Sequence, residues 1–79
     1  MNIISKYTAD NIAAAILEDL IAHPGWNSEG EIHQRITGYD SGAWEHFGET
    51  LAVLAALKDE GKIIASGNNG FNSFSFKLA

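Results

Sequence analysis

Three histidines, His23, His33 and His46, are the residues best equipped for chemistry in this 79-residue chain. They stand far apart, and none belongs to an H-x-x-x-H or H-E-x-x-H pattern, the spacings that aim two imidazoles at one metal from one helix face. His46 has Glu45 and Glu49 beside it, so a single helical turn carries three groups of ligating type. Such a turn is more often a solvated helix face, and the expectation is no metal and no cofactor. His23 ends a helical pattern just before Pro24, where an imidazole interacts favourably with the helix dipole.

Nucleophilic catalysis needs a hydroxyl or thiol beside a base that a third group orients. Serines and threonines are present, but no local pattern supplies the other two parts. The neighbouring carboxylates Glu18/Asp19, Glu29/Glu31 and Asp59/Glu60 fall near helix ends or on faces expected to be solvated. "SGNNG" (residues 66–70) is glycine-rich like a phosphate cradle, yet it opens no helix. The sequence therefore reads as a protein that is not an enzyme.

Composition narrows the class further. The chain is 46% hydrophobic and 19% charged, with a single proline, which suits a folded globule better than a disordered tail. A chain this short forms one domain, residues 1–79, and buries only about 60–65% of its unfolded surface. It has no cysteine, which excludes disulfides and thiolate metal sites. "MNIISKYTADN" lacks the basic start and apolar run of a signal peptide, and the longest apolar runs fall short of a membrane span. A soluble, cytoplasmic protein is expected. Ten acids against five bases give a net charge of −5. The bases Lys6, Arg35, Lys58, Lys62 and Lys77 are scattered, an arrangement poorly suited to neutralising phosphates.

The apolar periods predict the elements that must position these groups. Ile12, Ala13, Ile16, Leu17, Leu20 and Ile21 recur at helical spacing, so a first helix runs from about Ala9 to Ala22 with Thr8 as its N-cap. In "SEGEIHQRITG" (residues 28–38), Ser28 and Glu31 have the spacing of a capping box and Gly38 is a natural stop. A third helix is expected from Gly42 or Ala43 to Glu60, capped by Asp40 or Ser41. Its inner stripe reads Phe47, Leu51, Leu54 and Leu57 or Lys58, with Val53 and Ala55 beside it. Gly61 supplies its C-terminal turn. After Gly61 the period changes to two. "KIIAS" is one strand, "SGNNG" is a turn signal, and Phe74, Phe76 and Leu78 alternate with polar residues in the last strand. Phe71 has the opposite parity, near the turn. Ile3 and Ile4 are expected to pack under the first helix or form a short edge strand. The expected core is Ile16, Leu20, Ile36, Phe47, Leu51, Leu54, Ile63, Phe74 and Phe76, in an α+β fold of three helices and a C-terminal β-hairpin.

That order of elements resembles the winged helix-turn-helix family over nearly the whole chain. The most specific part is "LAVLAALKDEGKIIASGNNGFNSFSFKLA" (residues 51–79). It carries the family's leucines on helix three, a charged pair and Gly at its end, an apolar strand, a wing turn and spaced aromatics in the last strand. The resemblance puts a short first strand around Trp26. It also implies a reading surface of Ser41, Gly42, Ala43, Glu45, His46 and Glu49, with Asn68 and Asn69 at the wing tip. Here the chain departs from the family's habit. Glu45 and Glu49 would face phosphates, the wing tip has no Lys or Arg, and helix three offers no Arg, Asn or Gln for base edges. Some winged-helix domains serve instead as protein-interaction modules, and the charge pattern suits that use better.

The expected function is a small regulatory or accessory module acting through protein contacts, with a basic protein surface as the complementary partner. A DNA-binding regulator is the alternative, and a homodimer is compatible with either. The expected partner surface is centred on Trp44, with Tyr39, Glu45, His46 and Glu49 around it. Trp44 itself has two readings. It caps the core, which is the commoner fate of such a residue, or it is an exposed anchor rimmed by carboxylates, as interface hot spots often are.

Overall fold

The computed structural model describes Ile4, residues 6–67 and residues 74–79. The expectations for Ile3, Asn68, Asn69, Phe71 and most of the "SGNNG" turn lie outside the described residues. Helix α1 is Ala9–Ala22, as the apolar spacing predicts, and the Thr8 side chain accepts the Asn11 N–H at its start. Strand β1, Asn27–Ser28, leads into α2, Glu29–Ile36. The capping box at the start of α2 is formed in both directions between Ser28 and Glu31. Gly38 and Tyr39 follow with φ of 72° and 64°, so two successive left-handed residues turn the chain away from α2.

The third helical stretch differs from its expectation. Residues Ser41–His46 form a 3₁₀ turn, and helix α3 proper is Phe47–Asp59. Two hydrogen bonds mark the break. A continuous α-helix would send the Phe47 N–H to the Ala43 carbonyl. That carbonyl instead accepts from the His33 ring at 3.0 Å, and the Phe47 N–H turns to Trp44 O.

Strands β2, Ile63–Ala65, and β3, Ser75–Leu78, pair antiparallel. Strand β1 adds to the other side of β3, giving a three-stranded antiparallel sheet of order β1-β3-β2. The first strand that the resemblance placed around Trp26 is thus present one residue later. Gly61, with φ of 76°, makes the turn between α3 and β2. The chain has the expected α+β architecture of three helices and C-terminal strands. Among the described residues, no helix is long and apolar enough to cross a membrane.

The core lies between the helices and the inner face of the sheet. Ile12, Ile16 and Leu20 meet Ile32 and Ile36, Leu54 and Leu57, then Ile63 and Phe76. Three expected members sit elsewhere. Leu51 packs on the core from its margin, Phe47 is half-buried, and Phe74 is 41% exposed. Phe74 precedes the first ladder pair, Ser28–Ser75, so it lies just outside the paired length of β3. The buried stripe of α3 is Thr50, Val53, Leu54 and Leu57, rotated from the expected one, and Ala55 and Lys58 are exposed. Ile21 is exposed as well.

The neighbouring acids Glu18 and Asp19 also part company. Glu18 is exposed, but Asp19 is wholly buried, against expectation. Arg35 reaches it from α2 in a two-pronged pair, Nε to Oδ1 at 2.9 Å and Nη2 to Oδ2 at 2.9 Å. Arg35 Nη2 also donates to Asn27 Oδ1, and Asn27 Nδ2 donates to the His23 and Gly25 carbonyls. This network ties α1, α2 and the turn into β1 together. A bidentate pair with its remaining bonds satisfied is the arrangement in which buried charge is tolerated.

Candidate functional site

The expected surface residues are carried by the 3₁₀ turn and the first turn of α3. Asp40 opens the turn by accepting the Gly42 N–H at 2.9 Å. Ala43 is buried and pins the turn to α2 through His33, so the next residue, Trp44, projects outward. Trp44 is 42% exposed, so part of the indole meets solvent and part packs on neighbouring side chains. Its ring lies 4.9 Å from His33 and 5.0 Å from Phe47, the latter edge to face. Phe47 also meets His33 edge to face at 5.1 Å. The indole covers Gly30 at the start of α2, where an added Cβ would meet it at 3.8 Å.

His33 is the hub of this cluster and was not among the expected site residues. It is buried, with Nε2 against the Ala43 carbonyl and Nδ1 2.8 Å from Thr50 Oγ1. A carbonyl only accepts, so Nε2 carries the proton and Nδ1 accepts from the threonine hydroxyl. Burial holds this imidazole below its ordinary pKa. The Ala43 hydrogen bond opposes that effect, and the nearby His46 adds to it. The one sequence clue was a polar pair, His33 and Thr50, at positions adjoining apolar helix stripes.

Glu45 and Glu49 are exposed on the same turn as Trp44. His46 Nδ1 donates to Glu49 Oε1 at 2.9 Å, and the His46 ring stacks flat on Tyr7, centroids 4.0 Å apart and planes 3° apart. Tyr7 is thus a further member of the surface, supplied by the segment before α1. Tyr39 is 69% exposed, and among the described residues it makes no ring contact with Trp44. Tyr7 meets His46, which bonds to Glu49, and Trp44 and Glu45 precede them in the same stretch. Among the described residues, no cluster of three His, Asp or Glu side chains could hold a metal. His23, the third histidine, lies at the far end of α1, its Nδ1 donating to the Asp19 carbonyl at 3.1 Å.

Of the five bases, Lys6 is exposed next to Tyr7, and the other four are placed elsewhere. Arg35 is engaged by Asp19, Lys62 pairs with Glu60 at 3.1 Å, and Lys77 sits 4.9 Å over the Trp26 ring. Lys58 is at the opposite end of α3 from Trp44. What the surface can do is present one large aromatic within a rim of carboxylates.

Compared with protein-family models, with curated proteins and with solved structures, the chain matches none.

Proposed function

We propose that this chain is a winged-helix-like module that works by protein contact, in a regulatory or accessory role, through the surface around Trp44. The observation that carries the reading is a half-exposed indole whose charged neighbours, Glu45 and Glu49, are both acidic. A part-exposed Trp held by packing on its underside is the kind of anchor that dominates interface energetics. The acidic rim complements a basic protein surface and repels phosphate. The winged-helix comparison is supported by the order of elements, with a short strand between the first two helices and β3 central in the sheet. In that family the corresponding face recognises the partner.

The test uses the immobilised wild-type domain, a Trp44→Ala variant and a Glu45→Lys, Glu49→Lys double variant, each checked for fold by circular dichroism. A protein retained from host extract by the wild type is expected to be lost with Trp44→Ala and weakened in the double variant. A fully retained partner would remove this surface from consideration. The same preparations are titrated with mixed-sequence duplex DNA near physiological salt. Submicromolar binding there, with the steep salt slope of many ion pairs, would establish the DNA-binding alternative instead.

A further inference from the structure

The turn that carries Trp44 is lightly held. It is entered through Gly38, Tyr39 and Asp40, all exposed, and Tyr39 is a non-glycine residue at a φ of 64°. A tyrosine in the left-handed region is strained, and the strain is relieved when the segment is let go. Of Ser41–His46 only Ala43 is buried. Its carbonyl is bonded by the His33 ring at 3.0 Å, and the same ring lies 4.9 Å from the Trp44 indole. Helix α2, which carries His33, is anchored far more firmly, with Ile32 and Ile36 wholly buried in the core.

A proton on His33 changes this contact. The neutral ring is satisfied, with Nε2 donating to the Ala43 carbonyl and Nδ1 accepting from Thr50. A second proton makes Nδ1 a donor, so the Thr50 hydroxyl must turn round to accept. The new charge also finds no counterion. On the turn, Asp40 bonds the Gly42 N–H and Glu45 is exposed. On α3, Glu49 is taken by His46, and His46 itself opposes a charge on His33. On α2, Glu31 is exposed and bonded to Ser28, and Arg35 is a further cation. On α1, Asp19 is taken by Arg35, and Asp10 and Glu18 are exposed. Among the described residues, no carboxylate bonds to the ring. Water reaches it most readily if the turn swings outward, because the turn has the fewest buried side chains. The freed Ala43 carbonyl is then open to the Phe47 N–H, the bond that an α-helix would make.

We propose that His33 is a positioning residue for the Trp44 surface, which is presented while this ring is neutral and released when it is protonated. This rests on the reading of the domain as a protein-contact module, and it makes partner binding sensitive to acid. The released turn leaves His33 in water with the ordinary proton affinity of an imidazole. Release is therefore favoured progressively as pH falls below the ordinary imidazole range.

The test uses the full-length domain with Trp26→Phe, which leaves Trp44 as its one tryptophan. Acrylamide quenching of Trp44 fluorescence is followed from pH 7.5 to 5, with far-UV circular dichroism alongside. The quenching constant is expected to rise toward that of free indole while the helical signal is kept. The rise is expected to vanish with His33→Gln, whose amide still donates to a carbonyl, and to persist with His46→Gln. Should His33→Gln fail to fold, NMR of the parent decides, since the Trp44 indole N–H and the His33 ring protons should titrate with one midpoint. Separate midpoints, a flat quenching constant, a rise that survives His33→Gln or is lost with His46→Gln, or a rise that coincides with loss of the helical signal would each overturn the proposal. A protein retained from host extract at pH 7.5 should lose affinity on acidification by no more than about tenfold per pH unit, the slope of one proton. If that protein is lost with Trp44→Ala but binds equally at both pH values, the module reading stands and His33 does not regulate it. If Trp44 is released by acid but no protein depends on Trp44, the module reading fails and the coupling of His33 to the turn stands.

Discussion

His33 sits where a charge is costly and a neutral ring is fully satisfied. Its two nitrogens are taken by the Ala43 carbonyl and the Thr50 hydroxyl, and Trp44 and Phe47 pack on its ring. With the folded-state pKa lowered, the unfolded chain binds the proton more readily. The contribution to stability is therefore complete above the ordinary imidazole range and is lost as pH falls from there through the lowered folded value. Urea midpoints of the wild type should fall between pH 7.5 and 5.5, and a His33→Gln variant should show a shallower fall. Parallel curves would mean that His33 does not carry the dependence. Asp19 is gripped on two sides by Arg35. Asp19→Ala leaves the guanidinium buried without its partner, and the expected loss is about 3–5 kcal/mol in denaturant unfolding. Arg35→Ala should be comparably damaging, and a loss under about 1 kcal/mol in both would show that water replaces the pair.

At the scale of elements, the helices are set by caps and stops more than by their stripes. The capping box at Ser28 and Glu31 satisfies two free N–H groups at the start of α2, a helix too short to stand on propensity alone. The Ser28 hydrogen bonds also hold the Glu31 carboxyl below its ordinary pKa. Ser28→Ala should cost about 1 kcal/mol, measured by thermal or denaturant unfolding, and Ser28→Asp should restore most of it. The break between the 3₁₀ turn and α3 is of another kind. It coincides with a tertiary contact, in which His33 from another helix bonds the carbonyl that the α-helical ladder would use. That break aims Trp44 away from the core while Ala43 stays within it.

At the scale of the molecule, the two carboxylates beside Trp44 are separated from most of the lysines. Glu45 and Glu49 stand near the start of α3, whereas Lys58, Lys62 and Lys77 lie toward its far end and the sheet. These two are among the ten acids that give the net charge of −5. Changing both glutamates to lysine brings the net charge from −5 to −1. The expected result is measurable, salt-sensitive affinity for duplex DNA at low ionic strength in the double variant and none in the wild type, read by fluorescence anisotropy. If the wild type binds as well as the variant, this face does not govern the interaction with DNA.

Much of this architecture was legible in the chain itself. The bounds of α1, the capping box, the stop at Gly38, the turn at Gly61 and the change of period after it are local properties. Each depends on residues within a few positions of one another, so pattern and propensity suffice to read them. Trp44, Glu45, His46 and Glu49 lie within six residues of one another, so their nearness is likewise a local property. Tertiary structure alone decided the rest. Asp19 and Arg35, and His33 and Thr50, meet across helices far apart in sequence, and nothing local marks an acid or an imidazole for burial. Tyr7 joins the site because the segment before α1 passes His46. Phe74 and Phe76 have the same parity, yet only Phe76 is buried, because it lies in the paired length of β3 against the core cluster, whereas Phe74 precedes the first ladder pair. Periodicity assigns a residue to a face of its own element, whereas burial depends on where the neighbouring element ends.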